Sequence, residues 1–227
     1  MYNFKLVNCD TDSIMVCKPN GAEFSLEERE RLLFELNEQF PSGIRWEPDG
    51  PDGKNEVYPK VLILKAKNYA LWDGKKLKIK GSALRSGTKE PALRDLLNEV
   101  LNALILDTGD PKVIYEKYVQ EALKVTDIKR WCGKKTITEK TLNSERLNET
   151  KVKDAIAGSE YVEGDKIYTF FKQDGTLELM ENFNGDYSVD RLLKKIYNTI
   201  ETFETVLPVK EIFLNYSLKK NKKLLTM

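Results

Sequence analysis

Two aspartates one residue apart, Asp10 and Asp12, are the first residues in this chain whose types and spacing could do chemistry. They lie in Asn8-Cys9-Asp10-Thr11-Asp12-Ser13, with Leu6 and Val7 before them and Ile14, Met15 and Val16 after. Apolar, β-favouring flanks around turn-forming residues predict a strand, a tight acidic turn and a second strand. Two carboxylates held close in a turn repel each other and favour a bound cation. Hard oxygen donors suit Mg²⁺, which keeps few protein ligands and shares phosphate oxygens. In a phosphoryl-transfer site such an ion lowers the charge on the attacking and leaving oxygens. The same four residues are also ordinary turn chemistry, so the string alone leaves a solvated turn as an equal reading.

Other residue types narrow the chemistry. Histidine is absent from the 227 residues, which excludes imidazole acid–base catalysis and histidine metal ligation; carboxylates and lysines must do any catalysis. The three cysteines, Cys9, Cys17 and Cys132, show neither metal nor disulfide spacing, which points to a reducing, cytoplasmic compartment. Without a histidine to activate it, Cys9 is expected to be a small, half-buried filler. The composition, 41% hydrophobic and 32% charged, is that of a globular protein. No apolar run is long enough to span a membrane, and the first residues lack the basic start and apolar core of a signal peptide. The net charge of +1 hides segregation. Residues 23–56 are acid-rich, whereas residues 60–89 carry nine lysines and arginines against the single acid Asp73. Such a one-signed segment suits a polyanion, because phosphate contacts dominate nucleic-acid affinity; a solvated basic face is the alternative.

The elements that must position these residues follow from periodicity. Ser25 to Phe40 reads as a helix with a Ser25–Glu28 capping box, stopped at Pro41-Ser42-Gly43. Val57 to Leu64 and Asn68 to Trp72 read as strands, and Asp73-Gly74 as a two-residue turn into an alternating strand, Lys76 to Lys80. Gly81 allows close backbone approach. A helix is predicted over Thr88 to Leu106, capped by Thr88 with Pro91 in its first turn, and another from Asp110-Pro111 to about Lys124. Asp127 to Thr141 reads as basic and turn-rich, and Glu149 to Ile156 as a short helix. Tyr161-Val162, Asp165 to Lys172 and Thr176 to Met180 read as a small β unit, and Val189 to Leu207 as a long helix.

In this order the motifs resemble those of family B DNA polymerases. Asn8-Cys9-Asp10-Thr11-Asp12-Ser13 resembles motif C, usually Tyr-Gly-Asp-Thr-Asp-Ser. Asn8 replaces the tyrosine and Cys9 the glycine, so packing against the primer terminus is expected to differ. Lys67-Asn68-Tyr69 resembles the Lys-x-Tyr motif, and Lys80-Gly81 resembles the Lys-Gly step at the palm–thumb junction. The remainder, including Tyr161 to Tyr168, looks like a phage-type thumb. The resemblance implies an α+β fold: an antiparallel hairpin remnant of the palm, then a mostly helical thumb with a small β subdomain. Residues 1–86 would be the end of the palm and 87–227 the thumb with a basic tail.

The resemblance also implies roles. Asp12, with Asp10 as acidic neighbour, would ligate catalytic Mg²⁺ in a two-metal site. Lys67, Tyr69, Lys80 and Gly81 would contact primer–template near its growing end, and Lys134, Lys135 and Arg146 would do so from the thumb. The N-terminal domain, exonuclease, motif A and motif B of a complete enzyme do not fit before Asn8. The chain therefore resembles the small chain of a split polymerase. It would need an N-terminal partner chain to complete the metal site and take up dNTP, and would act in the cytoplasm, that of the host if viral. Leu224, Leu225 and Met227 could bind a sliding clamp. An apolar face is expected where the rest of the palm would dock. Two other readings stand beside this one: a non-catalytic duplex-binding module with a vestigial acidic hairpin, and an unrelated Asp-x-Asp glycosyl- or nucleotidyltransferase. The last lacks a nucleotide-binding βαβ pattern ahead of its acids.

Overall fold

A computed structural model describes residues 4–10, 12–48, 57–85, 90–218 and 221, with residues 83 and 85 described by backbone alone. The fold is α+β, in two compact units, residues 1–81 and 82–227.

The first unit begins with β1 (Lys5–Asp10) and β2 (Ser13–Cys17), paired antiparallel with Asp10 opposite Ser13. The register shifts between Leu6 and Asn8, a bulge in β1. Helix α1 (Leu26–Asn37) starts at a complete capping box: the Ser25 hydroxyl accepts from the Glu28 amide, and the Glu28 carboxylate accepts from the Ser25 amide. Lys18 closes the arrangement with an ion pair to Glu28 at 2.7 Å, which holds the Glu28 carboxyl below its ordinary value. Strands β3 (Lys60–Lys65), β4 (Asn68–Trp72) and β5 (Leu77–Lys80) form an antiparallel sheet with β4 central. Its central strand is the most buried, through Tyr69, Ala70 and Leu71. The turn between β4 and β5 is longer than expected, because Trp72 pairs with Leu77 and residues 73–76 form the loop. The Asp73 carboxylate accepts from the amides of both Lys75 and Lys76, and these bonds hold it below its ordinary pKa.

The second unit opens with the single turn α2 (Ser82–Arg85), then α3 (Pro91–Leu106) and α4 (Pro111–Leu123). Pro91 begins α3, but Glu90 occupies the cap position without a side-chain cap bond; Thr88 lies outside the described residues. Asp110 caps α4 by accepting from the Lys112 amide at 2.8 Å. With α7 (Val189–Glu201) these helices enclose the main core, in which Leu96, Leu97, Val100, Leu101, Ile196 and Ile200 are fully buried. The buried Tyr115 hydroxyl donates to the Leu214 carbonyl at 2.6 Å, tying the segment after α8 (Val209–Ile212) to α4. The Asp127–Thr141 segment contains more structure than expected: a 3-10 turn (Ile128–Trp131), a strand β6 (Gly133–Thr136) and the start of α5 (Glu139–Asn143). β6 pairs with β7 (Lys166–Phe171), which pairs with β8 (Leu177–Leu179). One face of this sheet and α6 (Leu147–Ile156) bury Ile137, Val152, Ile156, Ile167 and Leu179. Tyr161-Val162 forms no strand; the Asp165 carboxylate accepts from the Val162 amide and holds a turn. The tail residues Leu224, Leu225 and Met227 lie outside the described residues.

Candidate functional site

The hairpin tip sets the position of the acids. Asp10 closes β1, and the Ser13 hydroxyl donates to its carbonyl at 3.1 Å across the turn. This bond fixes the backbone and leaves both carboxylates for other partners. Asp10 is half-buried, Asp12 is exposed, and Thr11 between them lies outside the described residues. Cys9 is exposed rather than half-buried: it pairs with Ile14 in a sheet of only two strands, which leaves its side of β1 open.

Lys67 stands beside this tip. Lys65 pairs with Asn68, so Ala66 and Lys67 make the β3–β4 turn, and Lys67 has a left-handed backbone, φ 61°. Its ammonium lies 3.8 Å from an Asp10 carboxylate oxygen, with the Lys67 side chain 71% exposed. A pair this open to water contributes at most about 1 kcal/mol. Its consequence is local: Asp10 faces a cation that a metal ion or a phosphate could displace.

Gly81 supports the Lys67 turn from below. Its φ is 105°, and a Cβ placed on it would lie 2.2 Å from the Lys67 carbonyl oxygen and 2.4 Å from the Asn68 side-chain oxygen. The Asn68 amide also donates to the Ala66 carbonyl at 3.1 Å. Asn68 is therefore a positioning residue that motif reading passes over, because it occupies the variable place between Lys67 and Tyr69. Tyr69 and Lys80 pair directly across β4 and β5; Tyr69 is 7% exposed and Lys80 is exposed. The alternation expected for β5 is blurred, since Lys78 turns to Tyr58, its ammonium 3.1 Å from the hydroxyl.

The remaining candidates belong to the second unit. Lys134 is exposed on β6 opposite Tyr168. Lys135 points to the other face and pairs with Glu149 at 2.6 Å, an interaction that holds the Glu149 carboxyl below its ordinary value. Arg146 is exposed at the cap position of α6.

Asp10 and Asp12 offer carboxylate oxygens on one hairpin, which suits Mg²⁺ sharing its shell with substrate phosphates. Among the described residues no group of three or more carboxylate, thiolate or imidazole side chains converges as a metal cage.

A two-stranded acidic hairpin beside a lysine-bearing turn, a three-stranded sheet that carries this turn, and a helical unit with its own three-stranded sheet make up the α+β fold. Among solved structures, the chain is similar to the family B DNA polymerase from the hyperthermophilic archaeon Pyrobaculum calidifontis, with a TM-score of 0.59 and 19% identity. The match covers 90% of this chain and 27% of that one, so the chain spans about a quarter of that polymerase's length. No protein-family model matches the sequence, and neither does any curated protein.

Proposed function

We propose that this chain is the C-terminal portion of a family B-type DNA-directed DNA polymerase, residues 1–86 closing the palm and residues 87–227 forming the thumb. The observation that carries the reading is the acidic tip of Asp10 and Asp12 beside the Lys67 turn in a chain of polymerase-like fold. Asp12, with Asp10, would hold Mg²⁺, which when bound supplies charge neutralisation for attack of a primer 3′-hydroxyl on the α-phosphate of a dNTP. Lys67 would leave Asp10 for a backbone phosphate or a minor-groove acceptor, Gly81 and Asn68 keeping its turn in place. Tyr69 would support the primer terminus as a packed aromatic, and Lys80 would take a phosphate. These contacts leave base identity to pairing.

Two carboxylates do not complete a two-metal site; in this reading the exonuclease, motif A and motif B would come from the remainder of the polymerase, proposed here as a partner chain. Leu6, Leu26, Phe34 and Ile44 in the first unit are each more than half exposed, which fits a surface that such a partner covers. Primer extension with Mg²⁺ and dNTPs tests this. The chain alone should give no product, and the two-chain complex should extend the primer. Asp12→Ala in the complex should lower the rate by about a thousandfold or more, the scale of a lost metal ligand. Extension that survives this substitution would instead support the second reading, a duplex-binding module with a vestigial hairpin.

A further inference from the structure

The second unit holds a cationic cluster that the motifs do not touch. Three side chains from two helices converge on the Phe171 ring at the end of β7. The Arg191 guanidinium carbon lies 4.0 Å from the ring centroid, the Lys151 ammonium 5.6 Å and the Lys195 ammonium 5.8 Å. Arg191 and Lys195 are one turn apart on α7, and Lys151 comes from α6. The Ser188 amide, at the start of α7, donates to the Phe171 carbonyl at 2.7 Å and joins strand to helix at this point. An Arg191 nitrogen would also lie 3.5 Å from a Cβ on Gly175, so the guanidinium rests against the β7–β8 turn.

One of these three cations has a described ion pair. Lys195 is ion-paired with the buried Glu90. Among the described residues neither the Lys151 nor the Arg191 side chain makes a hydrogen bond or ion pair; both lie over the Phe171 ring. Of the acids on adjoining segments, Asp186 pairs with Lys172, Asp174 accepts from Thr176 and Glu149 pairs with Lys135, while Asp154 follows Lys151 by three residues on α6 and Asp190 precedes Arg191 on α7. A cation over a ring face is held by the ring quadrupole without using its N–H donors, which stay available to an anion. Like charges gathered this closely repel unless an anion joins them.

We infer that Lys151, Arg191 and Lys195 on Phe171 form a backbone-phosphate site for duplex DNA. This rests on the polymerase reading and assigns a contact that its motifs do not. A planar guanidinium fork with flanking ammonium groups matches phosphate oxygens. Their distances to the shared ring put the three cations no more than about 12 Å apart, a patch within reach of a few phosphates spaced about 3.4 Å in rise along a strand. Arg191 is exposed and the two lysines half-exposed, which suits a polymer passing over the surface.

The test uses the full chain, a fluorescein-labelled primer–template duplex and EDTA, with binding followed by anisotropy from 50 to 300 mM KCl. Lys151→Gln/Arg191→Gln should weaken binding about tenfold and lower the slope of log K against log salt by about 1.8, and each single variant by about 0.9. Arg191→Lys should keep the wild-type slope. Melting temperatures within about 2 °C of wild type establish that the variants fold. Unchanged affinity and slope in a folded double variant would overturn the inference, as would failure of the wild type to bind duplex at 50 mM KCl. Inorganic phosphate provides the second arm. If it raises the melting temperature of wild type but not of the double variant while the duplex slope stays unchanged, the cluster is a small-anion site and the duplex assignment fails. The metal-free slope is independent of the Asp12 extension assay, so each reading can fail separately.

Discussion

A Cβ on Gly81 would collide with the Lys67 carbonyl oxygen at 2.2 Å, in a backbone region that side chains avoid. Gly74 has a similar φ, 93°, but nothing within 4 Å of where its Cβ would be. The two glycines separate strain from collision. Gly74→Ala should cost about 1 kcal/mol, from the left-handed backbone alone. Gly81→Ala should cost about 3 kcal/mol or more, because the Lys67 turn must also move. Urea unfolding of both variants checks this, and equal losses would mean that Gly81 does not support the turn. Glu149 gives a pH prediction at the same scale. Its carboxyl is held low by the Lys135 ammonium, so the unfolded chain binds the proton more tightly than the folded one. The stability this pair adds is fully present above the ordinary carboxyl range and is lost as pH falls through the lower, folded value. Glu149→Gln should therefore lose less stability than wild type as pH falls through and below the ordinary carboxyl range, by under about 1 kcal/mol for a half-buried surface pair. Denaturation at a series of pH values measures the difference.

At the scale of elements, the capping box of α1 is the clearest agreement between sequence and structure. Ser25→Ala removes the acceptor for the Glu28 amide and should cost about 1 kcal/mol, read as a lower urea midpoint. Legibility followed how local the causes were. α3 and α4 were readable because Pro91 and Asp110-Pro111 mark their starts and the leucines of α3 keep one face. β4 was readable from its short apolar run, Tyr69 to Trp72, ended by the turn residues Asp73-Gly74. β6 was not: Gly133-Lys134-Lys135-Thr136 has no apolar alternation, and it becomes a strand because the edge of β7 takes its backbone. α7 ends at Glu201 although apolar residues continue through Phe203 and Val206. There the Thr199 hydroxyl donates to the Lys195 carbonyl and the Thr202 hydroxyl to the Thr199 carbonyl, after which the chain runs on in turns. In the candidate site, the acidic tip was visible from residue types, and the connection holding Lys67 from the strands either side of it, but the place of Lys67 in the site came only through the resemblance. A left-handed lysine has no sequence signature of its own, and the partner that sets it, Gly81, lies fourteen residues further on.

For the molecule as a whole, the two units differ in how their interiors are filled. The second has fully buried Leu96, Leu97, Val100, Leu101, Tyr115, Tyr118, Ile196 and Ile200. In the first, every residue of β1 and β2 keeps some solvent exposure, and among the described residues the two strands pair only with each other. An isolated two-stranded ribbon is marginal in water. The local opening energy should therefore be small at the very element that carries Asp10 and Asp12. Hydrogen exchange on the chain alone should show the amides of α3, α4 and α7 among the slowest, and those of β1–β2 faster by about a hundredfold or more. Adding the proposed partner chain should slow the hairpin amides selectively, because covering Leu6 and the open side of β1 raises the cost of opening the ribbon. Hairpin amides as protected as those of α3 before any partner is added would mean that the first unit already closes its own acidic tip. The requirement for a second chain would then fall.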